Sequence, residues 1–98
     1  MPNVILINPF EVPKGKEEAA LKMWEKAAEY MKKQPGFVST RLHRTLSPGA
    51  RFHLINIAEW ESVENFQAAI NSDEFKKLTE GAMEEFPHYP ELYEVIRT

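Results

Sequence analysis

The sequence predicts an α+β fold, a ferredoxin-like βαββαβ unit built on a four-stranded antiparallel sheet. Three observations predict it. Short apolar or alternating stretches at Val4–Asn8, Phe37–Leu46, Arg51–Trp60 and Leu92–Arg97 read as strands. Helical periodicity fills the first and last gaps between them. The middle gap holds only Ser47-Pro48-Gly49-Ala50, which suits a hairpin loop.

The first strand is the apolar run at Val4–Asn8. Lys16–Gln34 follows as a helix, because Ala20, Met23, Trp24, Ala27, Tyr30 and Met31 recur at three- and four-residue steps. Pro35-Gly36 stops it. The hairpin strands come next. Ser62 is placed to cap a helix carrying Val63, Phe66, Ala69 and Ile70, and Ser72 a second carrying Phe75 and Leu78. After Gly81 a proline-marked loop leads to the last strand, Leu92–Arg97. Two right-handed crossovers put the helices on one face, with the first and third strands side by side in the middle. Pro9 cannot donate to a central ladder, so a bulge or an end to regular pairing is expected there.

Composition narrows the function. A chain of 98 residues is one domain, taken here as residues 1–98. Apolar residues at 43% and charged ones at 28% are those of a soluble globular protein. A net charge of −3 with scattered basic residues argues against a nucleic-acid partner. The absence of cysteine removes disulfides, thiolate chemistry and cysteine metal sites. No apolar run reaches the roughly 20 residues of a membrane span, and MPNVILINPF lacks a signal-peptide layout, so a cytoplasmic location is expected.

Period-two alternation divides the third strand. Ile55 and Ile57 share the helix-free face, and covering them by sheet-to-sheet packing predicts a homodimer. A monomer with a modest apolar patch is the alternative. Phe52, Leu54, Asn56, Ala58 and Trp60 share the other face, where the small Ala58 leaves room between an amide and an indole. Leu6, Asn8 and Phe10 form the matching set on the first strand. Asn8, Asn56 and Trp60 would then line a cavity between sheet and helices, mostly apolar with a few convergent polar groups. The bland reading is that a buried asparagine ties down backbone, with Asn8 beside Pro9 an apt case.

The frame Gln34-Pro35-Gly36-Phe37, the hairpin, and Ala58-Glu59-Trp60-Glu61-Ser62 followed by Phe66 resemble the antibiotic biosynthesis monooxygenase family over nearly the whole chain. The resemblance implies a dimeric α+β barrel. In the family's cofactor-free branch, which converts polyketide anthrones to quinones, an asparagine precedes the family tryptophan by four positions. Asn56 and Trp60 reproduce that pair. The branch's tyrosine is Phe66 here, which lacks the hydroxyl, and its arginine aligns loosely with Lys76. In the haem-degrading branch Asn8 fits the first-strand asparagine, but Ala69 stands at the tryptophan position and Thr79 at or near the histidine. The axial ligand is missing, so haem degradation is not expected.

That resemblance implies a reaction in which dioxygen attacks an electron-rich carbanion with no metal or flavin. The protein must hold a planar aromatic, exclude water and stabilise negative charge developing on an oxygen. Amide and indole N–H groups do this without surrendering a proton. Asn56, Trp60 and Asn8 are therefore the candidate catalytic residues, with Phe66, Trp24, Phe75 and Lys76 as candidate substrate contacts. No cofactor is expected, given the absent cysteines, the absent haem ligand and the lack of a glycine-rich phosphate loop.

The general base is the open point. His43 and His53 are odd-numbered and read as surface or dimer-contact residues, meeting across the hairpin on the face opposite Asn56. Two ligands on an exposed sheet make a poor metal site. His88, in the loop Phe86-Pro87-His88-Tyr89-Pro90, could reach the mouth of the pocket, although periodicity gives it no direction. A substrate acidic enough to ionise alone would need no base. Three classes remain: a cofactor-independent monooxygenase of an ionisable aromatic, a small-molecule binder on the same fold, or a stress-associated dimer without a pocket.

Overall fold

A computed structural model describes residues 3–98. The order is β1 (Val4–Phe10), α1 (Glu17–Lys32), β2 (Phe37–Arg44), β3 (Leu54–Trp60), α2 (Val63–Ile70), α3 (Asp73–Leu78), α4 (Ala82–Glu85) and β4 (Glu91–Tyr93). The strands form one antiparallel sheet in the order β2-β3-β1-β4. Fold class and the central β1–β3 pair are as the sequence predicts. One core cluster joins Leu6, Ala58 and Trp60 of the sheet to Tyr30, Phe66, Ala69 and Phe75 of the helices. A second joins Phe10 and Leu54 to Ala20 and Phe86. Both sheet sets are even-numbered, so α1, α2 and α3 pack on one face.

Local chemistry explains the joints. Ser62 caps α2 by accepting from the Asn65 N–H at 3.1 Å, and Ser72 caps α3 by accepting from the Phe75 N–H at 3.1 Å. Tyr30 donates its hydroxyl to the Ala69 carbonyl at 3.1 Å and also pairs with Ser72, tying α1 to the α2–α3 corner. Gly36 adopts φ +85°, and a Cβ there would overlap the Asn65 side chain. Its carbonyl accepts from the Glu61 N–H at 2.8 Å. The Pro-Gly-Phe and Trp-x-Ser frames therefore meet at one joint.

Several expected boundaries shift. There is no bulge at Pro9, because β1 pairs with β3 in unbroken register from Val4↔Trp60 to Phe10↔Leu54. The Pro9 carbonyl accepts from the Tyr89 N–H at 3.1 Å, and the Glu11 N–H donates to the Pro87 carbonyl at 2.8 Å. Odd-numbered backbone groups at this end thus face the 87–89 segment, and the donor Pro9 lacks is not one the β1–β3 ladder uses. The irregularity lies instead in β2, between Phe37 and Ser39. Both hairpin strands are shorter than expected, leaving a wide loop over 45–53. In it the Ala50 N–H reaches the Ser47 carbonyl at 3.1 Å.

The last strand covers Glu91–Tyr93 rather than Leu92–Arg97, since its register sets Tyr93 against Ile5 and β1 begins only one residue earlier. Val95 and Ile96 lie exposed beyond it. The stretch after Gly81 contains the helical turn α4 where only a loop is expected from the sequence. No helix among the described residues is long and apolar enough to cross a membrane.

Candidate functional site

Cross-strand register places the polar candidates. Asn8 sits directly opposite Asn56, and Ala58 opposite Leu6, so the two amides are adjacent with a small gap beside them. Trp60 closes one end, only 1% exposed and held edge-on between Phe37 at 5.5 Å and Phe66 at 5.6 Å. Between this face and the helices lies a cavity of about 280 Å³. Asn8, Asn56 and Trp60 line it, as do Trp24, Phe66, Phe75 and Lys76. All seven candidate residues are therefore brought to one space.

The polar atoms are unequally satisfied. Asn56 Oδ1 accepts from the Thr40 hydroxyl at 2.7 Å. With its oxygen so engaged, the amide leaves its N–H₂ as the group available to a ligand. Asn8 Oδ1 and Trp60 Nε1 are buried and have no hydrogen-bond partner. A buried polar atom left unpaired costs about 1–3 kcal/mol, so two orphans on one cavity wall are unusual unless a ligand completes them. The arrangement offers an indole donor, an oriented amide donor and a second amide to a flat apolar guest.

Thr79 also lines the cavity, but its hydroxyl donates to the Phe75 carbonyl at 2.9 Å, and Ala69 is buried in the core instead. Two further polar lining residues were not among the expected site residues, Thr40 and His88. Thr40 carries a signal in retrospect, since it shares even parity on β2 and lies diagonally from Asn56. For His88 the loop position allows the cavity mouth, but it sits outside any periodic stretch and nothing local fixes it there.

The other histidines behave differently. His43 Nδ1 lies 3.3 Å from the Ile55 carbonyl, and in register His43 faces Ile55 rather than His53. The expectation that His53 lies on the open face is corrected. Its Nε2 is 2.6 Å from Glu17 Oε1 on α1, beside Arg44 Nε at 2.6 Å from the same oxygen. His53 precedes β3, so strand alternation does not govern it. The hydrogen bond from His53, then that from Arg44, holds the Glu17 carboxyl below its ordinary range. Phe52 likewise leaves the cavity face, packing edge-on against Tyr89 at 5.8 Å under the Arg51 guanidinium.

Comparison with known proteins agrees with the fold. A family model described as antibiotic biosynthesis monooxygenase matches residues 3–81. A provisionally described monooxygenase from Shewanella loihica PV-4 is 42% identical, with 99% of this chain and 97% of that one covered and a TM-score of 0.84. SnoaB, a cofactor-independent oxygenase from Streptomyces nogalater, is 22% identical, with 100% and 97% covered and a TM-score of 0.84. At that identity the likeness is one of fold. No curated protein matches the sequence.

Proposed function

The chain belongs to the antibiotic biosynthesis monooxygenase family, and from that premise we propose that it is a cofactor-independent monooxygenase of a small ionisable aromatic or quinone-like molecule. The observation that carries this is the pair of orphaned buried polar atoms, Asn8 Oδ1 and Trp60 Nε1, in a mostly apolar cavity. The name of the Streptomyces nogalater neighbour supports the cofactor-free form of the reaction.

In the proposed cycle the substrate loses a proton and its charge spreads onto a ring oxygen. The Trp60 indole N–H and the Asn56 amide N–H stabilise that oxygen, and Asn8 holds a second polar group of the ring. Trp24, Phe66 and Phe75 sandwich the plane and exclude water. Dioxygen adds to the carbanion, one oxygen atom stays as a carbonyl, and the other leaves as water: CH₂ + O₂ → C=O + H₂O. Removing one such donor lowers turnover by on the order of 10²–10³-fold. The test is oxygen uptake with an anthrone in flavin- and metal-free buffer, for the wild type, Asn56→Leu and Trp60→Phe. Undiminished turnover in stably folded variants would assign the amide and indole to packing alone.

A second reading is a binder on the same fold. Phe66, without a hydroxyl to handle protons, favours it. Saturable binding of the anthrone with no oxygen uptake would establish it in place of the enzyme.

We further propose a homodimer in the cytoplasm. Ile7 faces Ile57 across β1–β3 on the helix-free side, and Ile57 is 39% exposed there. Two such sheets packed together would cover these residues. Sedimentation showing a stable monomer at micromolar concentration would refute the dimer.

A further inference from the structure

We infer that His88 is the general base that ionises the substrate, an inference that rests on the oxidative reading of the cavity. The position comes from register. The β1–β4 pairing sets Leu6 against Leu92, and continued along β1 it sets Phe10 against His88, where an isolated bridge is found. Backbone bonds on either side, Glu11 N–H to Pro87 O at 2.8 Å and Tyr89 N–H to Pro9 O at 3.1 Å, fix that pairing. His88 is therefore a continuation of β4 on the cavity side. Its ring stacks on Phe10 with centroids 5.4 Å apart and planes 23° from parallel, and it lines the same space as Asn8, Asn56 and Trp60.

The ring's tautomer is set by its backbone. His88 Nδ1 lies 3.0 Å from the Phe86 carbonyl oxygen, which can only accept, so Nδ1 carries the hydrogen. In the neutral imidazole the lone pair is then on Nε2. Phe86 is 2% exposed, so the carbonyl that orients the ring belongs to the core. The next residue is pinned as well, since the Tyr89 hydroxyl donates to Glu11 at 2.6 Å. Among the described residues that line the cavity, only His88 and Lys76 are titratable. A lysine ammonium has no lone pair to accept a proton, whereas a neutral imidazole has one.

The step balances without a cofactor. A C–H proton beside the ring carbonyl passes to Nε2, leaving its electron pair on the substrate. The carbanion forms a C–O bond to dioxygen, and the imidazolium returns the proton to the distal peroxide oxygen. Loss of the second C–H proton with cleavage of the O–O bond then releases water and leaves the carbonyl.

The test uses two anthrones, one un-ionised at the assay pH and one carrying electron-withdrawing groups that is already ionised there. His88→Ala is expected to lower kcat for the first by about 10²–10⁴-fold, the usual contribution of a positioned base. The loss on the second should be at least tenfold smaller, and added imidazole should restore part of the first. Equal losses on both substrates, or none, would overturn the assignment. If His88→Ala fails to fold, His88→Gln, which keeps a donor toward Phe86, takes the same comparison. A wild type that oxidises neither substrate refutes the oxidative reading itself. Oxidation that Asn56→Leu diminishes and both His88 variants leave intact refutes only the base.

Discussion

Replacing Asn8 by leucine should make the protein more stable and less active. The Asn8 side-chain oxygen is buried without a partner, in a strand whose register with β3 needs nothing from it. An unpaired buried polar atom costs about 1–3 kcal/mol, and a leucine, branched at the same carbon and extending into the adjoining cavity, adds apolar contact there. A net gain of about 1–2 kcal/mol follows, because Asn8 as a whole is only half-buried and the full transfer gain does not apply. For a chain of this size each kcal/mol moves Tm by about 4–8 °C, so the midpoint should rise by about 4–16 °C. Thermal unfolding followed by circular dichroism reads this directly. In parallel, turnover of the anthrone should fall by at least tenfold, since the variant has lost a polar contact the guest was to complete. A lower Tm would show that Asn8 ties down backbone after all. A raised Tm with unchanged turnover would remove Asn8 from the site while leaving the cavity argument for Asn56 and Trp60.

Thr40→Val should destabilise by about 1 kcal/mol and lower turnover about tenfold, because Asn56 Oδ1 loses the Thr40 hydroxyl and the amide is freed to rotate. Urea titration and steady-state kinetics check both halves, and a variant with wild-type kinetics would discard Thr40 as an orienting group. Gly36→Ala should cost about 2–5 kcal/mol, summing the left-handed backbone penalty with overlap against Asn65. An urea midpoint within error of wild type would contradict it. For Glu17, whose carboxyl is held below its ordinary value of 4.5 by His53 and Arg44, the folded state favours the charged form. Its contribution is present above that ordinary value and is lost as pH falls through the lower folded value. The Tm difference between wild type and Glu17→Gln should therefore be largest near neutrality and shrink below about pH 4.5. A difference that stays constant down to pH 3 would refute the ion-pair account.

Much of the site was legible because strand alternation is a local property of the pleated backbone. It put Leu54, Asn56, Ala58 and Trp60 on one face, and Leu6, Asn8 and Phe10 on the matching face of β1, with no knowledge of partners. Helical periodicity and the Ser62 and Ser72 caps are equally local, and both caps form as expected. Where alternation stops, so did legibility: Phe52 and His53, two and one residues before β3, turn away from the directions parity assigned.

The facing of Asn8 and Asn56, the missing bulge at Pro9 and the three-residue β4 depend on which residues of distant strands are paired, and no short window encodes a register. His88 is the clearest case. Its neighbours Pro87, Tyr89 and Pro90 give no period, yet the register of β1 and β4 carries it to the cavity wall. Sequence determined which side chains could share a face, because covalent geometry is decided residue by residue. Only the tertiary structure decided which of them meet, because backbone hydrogen bonds between β1, β3 and the 87–93 segment select one alignment among several that the side-chain pattern alone allows.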